Sequence, residues 1–125
     1  MFKQIHHIAI IGSNYKKTRQ FYVDVLGLKV IRENYRKEKE DYKIDLLCGE
    51  QEIEIFIKKE APARPNYPEA LGLRHLAFKV DNIEDVVKDL NSKGIETEQI
   101  RIDEYTYKKM TFFKDPDNLP IEIHE

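Results

Sequence analysis

Two halves of this chain carry one pattern twice. Displacing the first half by 68 residues lays His7 on His75, Ala9 on Ala77 and Glu54 on Glu122, with Ile53 and Ile55 on Ile121 and Ile123. Gly27 falls one residue from Gly94. The periodicities agree with the repeat. An Ile-rich run over 3–11 reads as a strand, and Gly12-Ser13-Asn14 supplies a turn and cap for a helix over 15–26. Strands are expected at 28–36, 41–48 and 51–58. Residues 59–71 hold Pro62, Pro65 and Pro68 and have no period, so they read as a linker. A strand at 73–80 follows, then a capping box with Asp81 as N-cap and Glu84 three residues on. Ile83, Val86, Val87 and Leu90 form a helical stripe that Gly94 ends. Strands at 95–102, 106–113 and 119–124 complete the second copy, with Asp115-Pro116-Asp117-Asn118 as the turn before the last. The order β-α-β-β-β twice is an α+β arrangement. It predicts one domain over 1–125, made of a module at 1–58, a linker at 59–71 and a module at 72–125. Two copies make a pseudo-symmetric pair rather than a solenoid array.

Composition narrows the function. Charged residues are 35% of the chain, yet Lys plus Arg (21) and Asp plus Glu (23) nearly cancel. That balance argues against nucleic acid, which needs a basic excess, and against a polybasic membrane patch. The longest apolar run, Ile8–Ile11, is too short to span a bilayer. Cys48 is the single cysteine and Met1–His7 has no apolar signal core, so a reducing, cytoplasmic setting is expected. Cys48 reads as a small core residue rather than a nucleophile.

The alternation of side chains along strands separates the polar residues. Ile53, Ile55 and Ile57 form one stripe, as do Leu76, Phe78 and Val80, and Ile121 and Ile123. With those stripes turned to the helices, the opposite faces carry His7, Glu54, His75 and Glu122. Taken singly, each has a plain explanation: a tolerated strand histidine, or the wet side of an amphipathic strand. The joint pattern is different, because the His-to-Glu spacing is 47 residues in both halves. Two imidazoles and two carboxylates on matching faces suit a divalent cation. Ala9 and Ala77 leave room beside it. His6 falls on the helix side, whereas Glu52 and His124 share the candidate face as lining or rim. Tyr35, Tyr42, Tyr105 and Tyr107 read as half-buried strand aromatics or, alternatively, substrate contacts. Lys108-Lys109 reads as a solvated strand edge.

The chain resembles the vicinal oxygen chelate superfamily, which includes glyoxalase I, methylmalonyl-CoA epimerase, extradiol dioxygenases and the bleomycin- and fosfomycin-resistance proteins. The resemblance spans the chain and rests on His7-Ile8-Ala9-Ile10, Phe21-Tyr22 with Leu26-Gly27, Ile53-Glu54-Ile55, Leu73-Arg74-His75-Leu76-Ala77-Phe78, and Asp115-Pro116-Asp117 before Ile121-Glu122-Ile123. It implies that each half forms a four-stranded cup and that paired cups enclose one metal ion. The His-Glu-His-Glu set is similar to the glyoxalase I branch, which implies His7, Glu54, His75 and Glu122 as ligands. The implied reaction is proton transfer beside a carbonyl through an enediolate, as in a lactoylglutathione lyase. Glu122 is the expected base and Glu54 the alternative. Ni or Co suits four ligands and two open positions best, followed by Zn and Mn. In glyoxalase I the paired cups come from different subunits, which implies a homodimer; cups from one chain are the alternative. Glutathione-using bacterial members carry Arg four residues after the first His and Asn four after the first Glu. Here those positions are Ile11 and Lys58, so glutathione carboxylates would turn to Arg19, Arg36 or Arg101. An acyl-CoA epimerase and a non-catalytic drug-sequestering protein are the alternative functions.

Overall fold

The computed structural model describes residues 1–125, which divide into two compact units, Met1–Pro62 and Ala63–Glu125. In unit 1, β1 (His7–Gly12) leads to helix α1 (Tyr15–Arg19), which runs on as a π-helical turn over Gln20–Val25. β2 (Lys29–Arg36), β3 (Asp41–Cys48) and β4 (Gln51–Ile57) follow. The four strands form a sheet in the order β1-β4-β3-β2, with β1 parallel to β4 and the other pairs antiparallel.

Unit 2 repeats the plan. It contains β5 (Leu76–Lys79), α2 (Ile83–Ser92), β6 (Arg101–Ile102), β7 (Lys109–Lys114) and β8 (Pro120–His124). Its sheet runs β5-β8-β7-β6, again with the first and last strands parallel. The α+β class and the doubled β-α-β-β-β order expected from the repeat are therefore present. No helix is long and apolar enough to cross a membrane.

Each sheet buries one face. In unit 1, Ile10, Ile44, Leu46, Ile53 and Ile55 are buried together with Phe21 and Tyr22 from the helix. Tyr15 and Arg19 of α1 bond to Glu33, whose register partner is Ile44, so the helix lies on that face. In unit 2, Ile83 and Leu90 of α2 are buried with Phe113, Ile121 and Ile123. Burying an Ile or Leu side chain contributes about 1.5–3 kcal/mol, so these stripes hold the helices in place.

Several boundaries differ from the sequence expectation. The helix expected at 15–26 changes type midway: Leu26 N–H bonds to Phe21 O, five residues back, at 2.9 Å. The wider turn leaves consecutive residues Phe21 and Tyr22 both buried. Gly27 then ends the helix at φ +73°. The N-cap of α2 is Asn82, not Asp81: its side chain accepts from Asp85 N–H at 3.0 Å. The strand expected at 95–102 shrinks to Arg101–Ile102. Over 95–100 the backbone is bridged at Glu98 N–H, which bonds to Phe112 O, while the Thr111 hydroxyl donates to Glu98 O. The strand expected at 73–80 starts at Leu76, which leaves His75 just outside it. Cys48 sits half-buried at the end of β3 rather than in the core. Lys109 is not simply solvated, since its ammonium bonds to Glu84.

One contact in unit 1 is tight enough to test. A Cβ on Gly12 would lie 2.6 Å from Thr18 Oγ1 and 2.8 Å from Thr18 Cγ2, and Thr18 is fully buried. Gly12→Ala should destabilise the protein by about 1–3 kcal/mol in urea unfolding, as overpacking does. The Thr18 hydroxyl has no hydrogen-bond partner. Adding Thr18→Ala should therefore restore part of the loss; equal loss in the double variant would refute this contact as the cause.

Candidate metal-binding residues and the cleft of unit 2

The parallel pairing of first and last strands builds the same local constellation twice. In unit 1, Ala9 stands in register with Glu54, and His7 lies two residues earlier on the same face. In unit 2, Ala77 stands in register with Glu122, and His75 again lies two residues earlier. The methyl side chain opposite each glutamate leaves the histidine free to reach across diagonally. His7 Nε2 lies 3.5 Å from Glu54 Oε2, and His75 Nε2 lies 2.9 Å from Glu122 Oε2. Each unit thus gathers one imidazole and one carboxylate. No group of three or more His, Cys, Asp or Glu donors able to hold an ion is formed.

The donor spacing fits metal ligation. Metal bonds to histidine nitrogen and carboxylate oxygen run near 2.0–2.2 Å, so two ligands at right angles on one ion sit roughly 3 Å apart. The separations of 2.9 and 3.5 Å bracket that value.

The two glutamates have different neighbours. Glu54 also accepts from Lys43 Nζ at 3.2 Å, and Lys43 bonds to Asp45 at 2.6 Å. Asp45 is the register partner of Glu54 on β3 and accepts from Arg32 Nε at 2.7 Å. Arg32 reaches on to Glu52 at 2.9 Å, which fixes that residue on the edge of the network. Burial pushes the Asp45 carboxyl up, but bonds from Lys43 and then Arg32 outweigh it and hold it below the ordinary range. Burial likewise works against the Lys43 charge, yet Asp45 and Glu54 keep its pKa above the ordinary lysine value. Phe112 takes the place of Asp45 in unit 2, in register with Glu122 and edge-on to the His75 ring at 5.0 Å. Glu122 is buried at 9% exposure, with His75 as its cationic partner when protonated and no lysine or arginine on it.

Beside His75 opens a cleft of about 840 Å³, lined by Tyr67, Arg74, Arg101, Phe112 and Lys114 among others, all from unit 2. Residues 63–71, in the stretch expected as a linker, help to form it: Tyr67 lies under the Arg74 guanidinium at 5.1 Å, and Asn66 donates to Asn118 O.

The remaining candidates lie elsewhere. His6 is exposed, with its Nδ1 3.0 Å from that of His7. His124 bonds to Asp103 and Thr106 rather than to Glu122. Tyr42 stacks on Tyr15 on the helix side, and Tyr35, Tyr105 and Tyr107 are exposed and absent from the cleft wall. Arg19, Arg36 and Arg101 are each already bonded to a carboxylate: Glu33, Asp41 and Glu98. Of the two positions where glutathione-using members differ, Ile11 is half-exposed hydrocarbon and Lys58 is bonded to Asp41. Lys43, Asp45, Phe112 and Arg74 escaped the sequence reading. The stripe of Ile44 and Leu46 was the available signal for the first two, since it turns Lys43 and Asp45 to the face of Glu54.

The Glyoxalase/Bleomycin resistance protein/Dioxygenase superfamily model matches residues 4–123. The chain belongs to this superfamily. The uncharacterised protein YwkD of Bacillus subtilis is 53% identical over all of this chain and 98% of its own. A glyoxalase family protein from Enterococcus faecalis has a crystal structure that superposes with TM-score 0.93. It is 64% identical over 99% of this chain and 98% of its own. The fosfomycin resistance protein FosX from Listeria monocytogenes shares the fold at TM-score 0.80 and 19% identity, over 99% of this chain and 93% of its own. It was crystallised as a variant complexed with Mn(II) and a dihydroxypropylphosphonic acid.

The buried Asp41 gives this part of the superfamily member a pH signature. Bidentate bonds from Arg36 at 2.6 Å, and a further one from Lys58, hold its carboxyl far below the ordinary value of 3.8. A carboxyl depressed in the folded state adds stability that is complete above about pH 4 and is lost as pH falls toward its folded value. Asp41→Asn should therefore lower the urea midpoint at pH 7, with the gap to the natural protein narrowing progressively below pH 4. A gap that stays constant across that range would exclude this ion cluster as the source.

Proposed function

We propose that this protein is a metal-dependent lyase or isomerase of the glyoxalase type, with His7, Glu54, His75 and Glu122 holding one divalent ion. The observation that carries the proposal is the paired donor geometry: two imidazole–carboxylate pairs, built by the same register, each at the separation that neighbouring ligands of one ion adopt. Each unit contributes two of the four donors, and a homodimer is the assembly that goes with this reading.

A nitrogen- and oxygen-donor set of this kind suits Ni or Co, and after them Zn or Mn. When bound, the ion would supply Lewis-acid chemistry to a small 2-oxo or hemithioacetal-type substrate. The protein's own residues divide the remaining work. His7 and His75 act as donors with no proton role. Glu54 is bridged to Asp45 through the Lys43 ammonium, which holds it in place. Glu122 has no such tether and lies against the Phe112 row, so it is the carboxylate free to take a proton from the carbon beside the carbonyl. Phe112 gives the glutamate an apolar neighbour on the sheet. Ile11 and the engaged Lys58 favour a substrate other than the glutathione adduct.

Elemental analysis of the purified protein should find about one divalent ion per chain. His75→Ala and Glu122→Ala should each lose it, and unchanged metal content in both variants would overturn the ligand assignment. Glu122→Gln should slow turnover of the active adduct by roughly 100- to 10,000-fold, the usual worth of a general base. The assay is lactate-type product release from methylglyoxal with a panel of thiols, and size-exclusion chromatography reads the dimer.

A further inference from the structure

We infer that the substrate carries an oxyanion group and that Arg74 receives it in the cleft of unit 2. The inference deepens the proposed function, since the cleft holds His75, but its physical basis is separate from the metal. Of the six arginines, Arg74 is the one left without a close acceptor. Arg19, Arg32, Arg36 and Arg101 each bond to a carboxylate within 3.0 Å, and Arg64 bonds to Asn66 Oδ1 and to Arg74 O. Arg74 instead stands 3.8 Å from Glu69, beyond hydrogen-bond length, and its Nη1 is buried with no partner. The side chain as a whole is 32% exposed, so the guanidinium still has donors to offer a ligand oxygen that no protein acceptor takes. Moreover, the group is held ready. Its plane rests on Tyr67, and its backbone carbonyl is fixed by Arg64.

The cleft's charge and size agree. Arg74, Arg101 and Lys114 line it against Glu96 and Glu98, and Arg101 already answers Glu98 at 3.0 Å. The balance left over is positive. Arg101 lies over Phe112 at 5.5 Å, on whose edge His75 rests, so the cationic wall adjoins the proposed ligand pair. At about 840 Å³ the cleft is sized for a conjugate or adduct, since ligand pockets for drug-sized molecules run about 300–1,000 Å³. A bare three-carbon dicarbonyl would fill a small part of it. The planar fork of Arg74 matches a carboxylate or a phosphate, both of which accept two parallel bonds.

The test is a titration of isotope-labelled full-length protein with succinate, glycerol phosphate and neutral succinamide, followed by amide and Arg side-chain NMR shifts. Metal content is measured on the same samples. Succinate or glycerol phosphate should shift Tyr67, Arg74 and Phe112, weaken with added salt, and leave succinamide without effect. The tighter of the two anions identifies the group. Arg74→Gln should weaken binding roughly tenfold or more, and Arg74→Lys, which keeps charge but loses the fork, by less. Should Arg74→Gln not fold, the Arg74→Lys arm decides. Equal affinity in the Arg74 variants, or equal affinity for succinamide, overturns the inference. Loss of anion binding in His7→Ala with Arg74 intact also overturns it, because the anion would then be riding on the metal. Arg74-dependent binding in samples found free of metal upholds the inference even if the metal assignment fails.

Discussion

The parallel pairing of the first and last strands of each unit is the constraint on which the rest depends. A parallel pair requires a crossover, and α1 or α2 with its following strands supplies it. The crossover carries a helix, so one sheet face is covered and must be apolar, which the Ile and Leu stripes satisfy. The other face is left for polar groups. Register then does the chemical work. With Ala9 opposite Glu54 and Ala77 opposite Glu122, each histidine two residues earlier approaches its glutamate diagonally. A slip of one residue would turn all four donors into the helix interface. The apolar stripes therefore set the site geometry as well as stability, because they forbid that slip.

Polar groups on the open face of unit 1 also show how burial is tolerated there. The Asp45 side chain is 3% exposed and that of Asp41 2%, and neither would stay ionised alone. Each has two cationic partners: Lys43 with Arg32, and Arg36 with Lys58. Removing one partner from such a cluster leaves a buried charge unanswered, so the cluster is more sensitive to single substitutions than to joint ones. Arg36 and Lys43 also lie over the Phe56 ring, at 4.8 and 5.5 Å, which ties the two ion clusters to one aromatic platform.

Much of this was legible in the sequence because period-2 alternation and a doubled motif report directly on sheet faces. The strands at 28–36, 41–48 and 51–58, the turn at Asp115, and the placing of Glu54 and Glu122 opposite the Ile stripes follow from those signals alone, whereas the close pairing of each His with the Glu of its own unit does not. What was not legible depends on finer geometry. A six-residue π turn and an α-helix differ too little in period for a pattern to separate them. Asp81 and Asn82 are adjacent residues of the type that caps helices, and only the hydrogen bond from Asp85 N–H to the Asn82 side chain separates them. Before Arg101 the chain is joined to β7 by Glu98 N–H on Phe112 O and by the Thr111 side-chain hydroxyl on Glu98 O, a side-chain bond that strand periodicity does not report. Arg74 was invisible for another reason: its importance lies in a missing partner, and partners are a property of the fold.

The repeat makes the departures from symmetry the informative part. Equivalent rows run Ala9–Glu54–Asp45 in unit 1 and Ala77–Glu122–Phe112 in unit 2. Where unit 1 places a carboxylate answered by lysine and arginine, unit 2 places an aromatic edge and an open cleft. The unit 1 glutamate is tethered through Lys43 to Asp45. The unit 2 glutamate stands in register with an aromatic ring and close to His75. The repeat thus builds two matching imidazole–carboxylate pairs, and one sheet position, Asp45 against Phe112, gives them different surroundings: an ion network in unit 1, an aromatic edge beside a cleft in unit 2.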